Sequence, residues 1–234
     1  MSLAERAPGC TLATACRRLL GMYDVRGWWP ARSRFEVMVG AVLVQNTRWD
    51  NVAAAIGALR TRRCMSATTI AAIPPAELAA IIRPAGCQSI KARRLLAMAE
   101  WVLAAGGLRK LSGIDTPALR TGLLNVHGIG PETADAILCF GFSRRQFVAD
   151  AYSRRWLARM GFADASTYET CQAYVETGLR RSKIDYANLH AAIVMHAQQS
   201  CAVRPDCERC PLRCDCRYGT RRVNESLLRV ETLT

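Results

Sequence analysis

Apolar residues recur along most of the chain at the three- and four-residue spacing that is typical of helices. The segment 35–44 is apolar almost all round, which predicts a helix buried on every side. The next segment, 50–59, places Val52, Ile56 and Leu59 on one face. No segment shows sustained alternation of β-branched and polar residues, so the pattern predicts an all-α protein.

A longer helix is predicted over residues 90–103. Leu95 and Leu103 belong to its apolar stripe, and Lys91 lies off that stripe. Two consecutive glycines, residues 106 and 107, end the helix because glycine weakens helical structure. The face that carries Leu103 is therefore expected to be buried, and Lys91 is expected at the surface.

The composition adds an argument from charge. The chain has 234 residues, half of them apolar, and a net charge of +13 from 32 Lys and Arg against 19 Asp and Glu. The apolar half excludes extensive disorder, and the longest apolar run, residues 37–44, is too short to span a membrane. This positive excess favours a polyanionic partner, either nucleic acid or an anionic membrane; the alternative is a solvated basic surface. The N-terminus lacks the pattern of a signal peptide, so we expect a cytoplasmic protein.

Two glycines stand between two helical segments, at Gly128 and Gly130. They allow a tight hairpin whose backbone can approach another molecule closely. The helix that starts at Pro131 directs its free N–H groups and positive dipole end towards that hairpin, which suits a phosphate. An ordinary corner between two helices is the alternative.

A single carboxylate, Asp150, follows the apolar run 147–149 directly. A half-buried carboxylate of this kind has a raised pKa or a partner, and functional sites use both. Asp is also a leading helix N-cap residue, and on the residues alone a cap for the helix starting at Ala151 is the favoured interpretation.

Eleven cysteines are present, and five of them fall within residues 201–216. Cys201, Cys207 and Cys210 are followed by Cys214 and Cys216, either of which could be a fourth ligand. Four thiolates in a short loop fit a structural zinc ion or a [4Fe–4S] cluster. One C-x2-C pair flanked by single cysteines favours the cluster, because zinc sites usually use two short pairs.

Together, the glycine hairpin, the carboxylate and the cysteine loop resemble the helix-hairpin-helix DNA glycosylases of the endonuclease III superfamily, over residues 28–216. The stretches Gly27–Pro30 and Val44–Trp49, with the hairpin, resemble most the 3-methyladenine DNA glycosylase III branch. The run 86–92 resembles the second DNA-probing loop of the superfamily.

The resemblance implies two helical lobes and a role for each motif. Residues 30–144 would form a barrel lobe that ends in the helix-hairpin-helix motif. Residues 1–29 and 145–220 would form the second lobe, with an iron-sulfur cluster loop at 201–216 and a tail at 221–234. The implied site residues are Asp150 as the catalyst; Gln45, Gln88, Lys91, Gly128 and Gly130 for DNA binding; Trp28, Trp29 and Trp49 for the base pocket; and Cys201, Cys207, Cys210 and Cys216 as ligands of a [4Fe–4S] cluster, with Cys214 spare.

The implied function is that of a monomeric base-excision-repair enzyme acting on double-stranded DNA. It would flip a damaged base, expected to be an alkylated purine, and hydrolyse its N-glycosidic bond. Glu132 stands where relatives with AP-lyase activity carry a nucleophilic Lys, so we expect a monofunctional glycosylase. Two alternatives remain. Glu132 argues against an oxidised-pyrimidine glycosylase with lyase activity, and Asp150 argues against a non-catalytic DNA-binding module.

Overall fold

The computed structural model describes residues 9–162 and 167–222, and this part of the chain consists of helices joined by loops, with no β-strand. The all-α prediction is confirmed. The helices are α1 (Leu12–Leu20), α2 (Arg34–Leu43), α3 (Trp49–Thr61), α4 (Ala67–Ala71), α5 (Pro75–Ile81), α6 (Gln88–Ala104), α7 (Leu108–Ser112), α8 (Thr116–Leu124), α9 (Pro131–Ala136), α10 (Ala151–Met160), α11 (Tyr168–Gly178) and α12 (Tyr186–Gln199). Short 3₁₀ turns lie at Arg83–Ala85 and Arg213–Asp215, and a π-helical turn at Ile137–Gly141 extends α9.

Two compact units make up the chain. The central unit is Trp29–Gln146, and the terminal unit combines the residues up to Trp28 with those from Phe147 onward. The sequence placed the central lobe at 30–144. Almost all of the tail predicted at 221–234 lies outside the described residues. No helix among the described residues combines the length and the apolar character that a membrane span requires.

The helix α2 is the core of the central unit, and all its residues from Phe35 to Leu43 are buried. It begins at Ser33, whose Oγ accepts a hydrogen bond from the Glu36 backbone N–H. The Glu36 carboxylate is buried as well, and Arg60 binds both of its oxygens, with Nε 3.0 Å from Oε2. The predicted all-round burial of this helix is therefore confirmed.

The helix α6 buries a different face from the one predicted. Its buried residues include Lys91, Leu95, Met98 and Val102, whereas Leu103 is 43% exposed. The predictions that Leu103 is buried and that Lys91 is at the surface were therefore wrong. The buried face is shifted by about one residue towards the N-terminus from the predicted one, because α4 and α5 pack against α6. Lys91 donates a hydrogen bond to Ala85 O inside the unit.

The terminal unit is built around α12, which packs against α1 and α10. Asp150 caps α10 at its N-terminus, and Gly161 ends it in the left-handed conformation, with φ of 88°. Trp156 and Leu157 of α10 are buried in the core of this unit. The loop after α12 carries the five clustered cysteines.

Candidate functional site

The glycine hairpin lies between α8 and α9 in the central unit. Gly128 has φ of 82°, and a Cβ there would lie 2.3 Å from Arg94 Cγ, so only glycine fits without a shift. Gly130 has an extended backbone and caps α9, and nothing lies within 4 Å of a Cβ built on it. Arg94 therefore packs closely against the hairpin backbone at Gly128, whereas there is open space beside Gly130.

The turn between α2 and α3 is tied to this hairpin by Gln45. Gln45 Nε2 donates hydrogen bonds to Gly128 O at 3.2 Å and to Thr133 Oγ1 at 2.8 Å. Its Oε1 accepts a hydrogen bond from Arg94 of α6. The next residue, Asn46, is exposed and has φ of 55°. The structure therefore brings the predicted Gln45 and Gly128 together, through contacts within one unit.

The second predicted DNA loop precedes α6. Cys87 has a left-handed backbone with φ of 45°, and Gln88, the first residue of α6, is half-buried. Lys91 is only 3% exposed, and its Nζ donates to Ala85 O at 2.7 Å. Burial lowers the pKa of Lys91. Lys91 thus holds the loop that precedes α6 and does not present its ammonium group to solvent.

The three predicted pocket tryptophans fall into two groups. In the central unit, Trp29 lies edge-on to Trp49 with ring centroids 5.3 Å apart and packs on Phe140 at 4.7 Å. Gly40 of α2 makes room for them, because a Cβ there would lie 3.4 Å from Trp29 and 3.5 Å from Trp49. In the terminal unit, the ring of Trp28 lies edge-on to the ring of His190 of α12.

Asp150 is 9% exposed and sits at the N-terminus of α10. Its Oδ1 accepts a hydrogen bond from Ser153 N at 2.8 Å, so the predicted cap is present. Its Oδ2 lies 3.9 Å from Nε2 of His190, and His190 Nδ1 lies 3.2 Å from Val148 O. Because a carbonyl only accepts, the Nδ1 atom carries a proton and Nε2 faces the carboxylate. The Trp28 ring stands edge-on to His190 at 5.7 Å. The carboxylate lies at the positive end of the α10 helix dipole.

Four cysteines of the loop line one pocket in the terminal unit. Cys201 and Cys216 are buried and Cys207 and Cys210 half-buried, whereas Cys214 is exposed and does not line the pocket. Burial raises the pKa of the Cys216 thiol to about 11.

Several hydrogen bonds reach the sulfur atoms and the backbone of the loop. Arg159 Nη1 donates to Cys201 Sγ at 3.2 Å and to Ala202 O at 2.6 Å, and Gly219 N donates to Cys216 Sγ at 3.4 Å. These donors would stabilise thiolates, as donors do around iron-sulfur clusters.

A buried histidine, His196, stands behind the same loop. Its Nδ1 lies 2.9 Å from Tyr23 Oη, and its Nε2 lies 3.7 Å from Cys210 Sγ. Burial lowers the pKa of His196 to about 4, so the ring is neutral at pH 7. When Tyr23 donates to Nδ1, the single ring proton is left on Nε2, where it faces the sulfur.

The two metal centres that four cysteines can hold need different arrangements of their ligands. A [4Fe–4S] cluster binds four thiolates on four separate iron atoms, so its ligands must surround a common space. A zinc ion needs its ligands to converge on one point. Cys201, Cys207, Cys210 and Cys216 surround one pocket, as the ligands of a cluster must. The residues present fit the cluster.

Sequence reasoning missed four residues that the structure places at these sites: Asn46, Arg94, His190 and His196. The sequence does indicate the two histidines, because the chain has only three histidines and these two lie six residues apart, shortly before the cysteine loop. Arg94 carries no such signal, because its partners Gln45 and Gly128 are distant in sequence.

Comparison with known proteins gives a family match over residues 39–181, to the model described as the HhH-GPD superfamily base excision DNA repair protein. A protein of Methanocaldococcus jannaschii, provisionally named a DNA repair glycosylase, is 36% identical over 199 residues, which cover 83% of this chain and 90% of that protein. The endonuclease III of Sulfolobus acidocaldarius is 32% identical over 192 residues, covering 80% and 83% of the two chains.

The solved structures that are similar to this chain include two of known DNA repair enzymes. The H. pylori 3-methyladenine DNA glycosylase bound to 1,N6-ethenoadenine has a TM-score of 0.73 and 27% identity, and the match covers 81% of this chain and 98% of that one. An endonuclease III trapped as a covalent intermediate with DNA has a TM-score of 0.70 at 20% identity, covering 92% and 100%, and shares the fold.

Proposed function

The chain belongs to the HhH-GPD superfamily of base excision DNA repair proteins and is a DNA glycosylase, and we propose that it excises alkylated purines from duplex DNA by hydrolysis alone. The observation that carries the mechanism is Asp150, a nearly buried carboxylate that caps α10 beside His190. A non-catalytic DNA-binding module has no use for a negative charge in such a place.

The proposed reaction breaks the bond between C1′ of the sugar and the base nitrogen, and the bonding electrons leave with the base. Positive charge then develops on the sugar, and the fixed Asp150 carboxylate stabilises it, as carboxylates do in glycoside hydrolysis. A water molecule adds to C1′ and gives up a proton. Asp150 Oδ2 and His190 Nε2 lie 3.9 Å apart, and this distance supports a role in which both atoms orient a water molecule between them and Asp150 takes its proton.

The proposed absence of lyase activity rests on Glu132. This residue is exposed in the first turn of α9, directly after the hairpin. A lyase needs an amine at its active site to form a Schiff base with the sugar, and a carboxylate cannot do so.

The preference for alkylated purines is supported by aromatic residues and by one relative. An indole face attracts a cationic ring, and alkylated purines carry positive charge. Trp28 stands beside His190, and Trp29 packs with Trp49 in the other unit. The H. pylori relative is named a 3-methyladenine DNA glycosylase and was solved with 1,N6-ethenoadenine.

The DNA would be held mainly through its phosphates. The backbone of the hairpin at Gly128 and Gly130, with the N-terminus of α9 behind it, offers N–H donors to one strand. The loop before α6, supported by Lys91 and carrying Gln88, offers a second contact. The net charge of +13 favours such binding.

Cys201, Cys207, Cys210 and Cys216 would hold one [4Fe–4S] cluster. When bound, the cluster supplies four iron–thiolate bonds that cross-link the loop. The protein's own residues shape the pocket. Arg155 and Arg159 hold the loop by donating hydrogen bonds to Cys201 O at 3.0 and 3.1 Å.

The test is single-turnover excision on duplexes that carry 3-methyladenine, 1,N6-ethenoadenine or thymine glycol, with and without alkali, alongside borohydride trapping. We expect release of the alkylated purines, strand breaks only after alkali, and no trapped adduct. Thymine glycol release with a trapped adduct would identify an endonuclease III-like lyase. Binding without release of any base would identify a DNA-binding module.

A further inference from the structure

The short segment that leads to Asp150 is buried and lies outside any helix. Residues 147–149 are at most 2% exposed, and no strand lies beside them in the described part of the chain. Their backbone groups need partners from side chains, because an unpaired polar group inside a protein costs free energy. We propose that Gln172 and Glu176 of α11 are positioning residues, which hold this segment so that the Asp150 carboxylate stays in place for the reaction. The proposal rests on the glycosylase function and adds two residues to its machinery.

Gln172 and Glu176 bind both backbone groups of Phe147. Gln172 Nε2 donates a hydrogen bond to Phe147 O at 2.6 Å, and Glu176 Oε1 accepts one from Phe147 N at 2.9 Å. The two side chains are four residues apart on α11, so they lie on one face of the helix. Together they offer a donor and an acceptor to a single residue, as a neighbouring antiparallel strand does. The helix α11 thus takes the place of a strand beside the segment.

The helix that carries this pair is itself fixed in the terminal unit. It begins with a capping box, and it buries Cys171 and Val175, each of which directly precedes one member of the pair. It also packs against α10, the helix that Asp150 caps. The donor and the acceptor therefore stand on a firmly packed element, which a positioning role requires.

The next carbonyl group along the segment is held as well. Val148 O accepts hydrogen bonds from Ser153 Oγ at 3.1 Å and from His190 Nδ1 at 3.2 Å. Ser153 is also the residue whose backbone N–H binds Asp150 Oδ1. The backbone is thus fixed at two successive residues before α10 begins, and the carboxylate that follows has little freedom to move.

A fixed carboxylate is what the proposed reaction needs. The positive charge that develops on the sugar is stabilised best by a group that is already in place. A displacement of about 1 Å can cost about 10² in rate. Loss of either bond to Phe147 leaves a buried backbone group unpaired, and the segment shifts to regain a partner. In this proposal, that shift reaches the reaction only through the position of Asp150.

The experiment measures single-turnover excision of an alkylated purine, together with duplex affinity and melting temperature. Gln172→Met and Glu176→Met each remove one hydrogen bond to Phe147 and keep a side chain of similar length. Glu176→Gln removes the charge and keeps an oxygen that can accept from Phe147 N. Thr177→Ala, at an exposed position of α11, is the matched control. Each Met substitution is also combined with Asp150→Asn.

We expect Gln172→Met and Glu176→Met to excise the base at least about tenfold more slowly than the parent. Both should bind a duplex with an abasic-site analogue within about threefold of the parent, because the phosphate contacts remain. Glu176→Gln and Thr177→Ala should keep the parental rate. In the Asp150→Asn background, neither Met substitution should slow the residual excision further, because the charge that it displaces is already gone.

Parental excision by both Met variants would overturn the proposal, and a parental rate in one of them would refute the role of that residue. A further loss of rate in the Asp150→Asn background would also overturn it, because the effect would then be a general structural one. A rate for Glu176→Gln as low as that for Glu176→Met would refute the hydrogen bond as the cause. Loss of duplex affinity in step with the rate would assign the pair to DNA binding instead.

The proposed function fails by a different result. Asp150→Asn alone would then excise at the parental rate, or the parent would release no base at all. Slow excision by Asp150→Asn with parental rates in both Met variants would refute the positioning role and leave the function intact.

Discussion

At the scale of single residues, Asp150 does two things at once. It caps α10 through Ser153 N, and it faces His190 with its other oxygen. The hydrogen bond of the cap orients the carboxylate at the N-terminus of α10. The predicted cap and the implied catalyst are therefore compatible roles of the same side chain, and a substitution can separate them.

Asp150→Asn removes the charge and keeps a side chain that caps a helix equally well. We expect excision of an alkylated purine to fall by at least about 10² to 10³, because the charge acts on the transition state. Melting temperature should be unchanged and DNA affinity equal or higher. Single-turnover excision with Glu132→Gln as control, expected within a few-fold of the parent, checks this. A parental rate for Asp150→Asn would refute the mechanism.

The buried position of Lys91 leads to a second prediction at the scale of single residues. Lys91→Met removes the donor to Ala85 O and should lower the free energy of unfolding by roughly 1–3 kcal/mol. Because the ammonium group is buried, the salt dependence of DNA binding should stay the same. A direct phosphate contact would instead reduce the slope of log K against log salt by about 0.9. Arg93→Met, at an exposed neighbouring position, is the control in urea unfolding and salt titration.

At the scale of elements, the hairpin offers a matched pair of glycines. Gly128 has a positive φ, and Arg94 occupies the place of a Cβ. Gly130 has an extended backbone, and the space where its Cβ would lie is open. An alanine at position 128 adds backbone strain of roughly 1–2 kcal/mol and displaces Arg94. We expect Gly128→Ala to lower the melting temperature and to weaken duplex binding about tenfold, the effect of about 1.4 kcal/mol. Gly130→Ala should fold like the parent, and equal stability of the two variants would contradict this account.

The cysteine loop gives the second prediction at this scale. The purified protein should be yellow-brown, with about four iron atoms per chain when the site is full. Cys216→Ser should lose most of the iron, because Cys216 lines the pocket, and Cys214→Ser should retain it, because Cys214 is exposed. Iron analysis and visible absorbance measure both. The reverse pattern would make Cys214 the fourth ligand, and one zinc per chain without colour would refute the cluster.

At the scale of the whole molecule, charge dominates the expected binding. A net charge of +13 on 234 residues favours contacts to phosphates, which release counterions from DNA. If six or more phosphates are contacted, duplex affinity should fall by about 10³ or more between 50 and 200 mM salt. Fluorescence anisotropy at several salt concentrations measures the slope, with sucrose added at constant salt as the control. A flat dependence would show that the positive surface is merely solvated.

The sequence by itself determined the helical class, the buried α2, the hairpin glycines and the cysteine loop. These follow from local rules, since apolar spacing, positive φ and ligand spacing each depend on residues close together in the chain. The cap at Asp150 is local in the same sense, because Ser153 lies three residues away.

Only the tertiary structure decided which face of each helix is covered and by what. Lys91 is buried because α4 and α5 pack on α6 and Ala85 O accepts a hydrogen bond from its ammonium group, and the periodicity of the sequence does not predict either contact. Gln45 is turned into the hairpin by partners 49, 83 and 88 residues away in sequence. Such distant partners meet only after the helices have packed, because spacing along one helix fixes which residues share a face and leaves open which neighbour that face will meet.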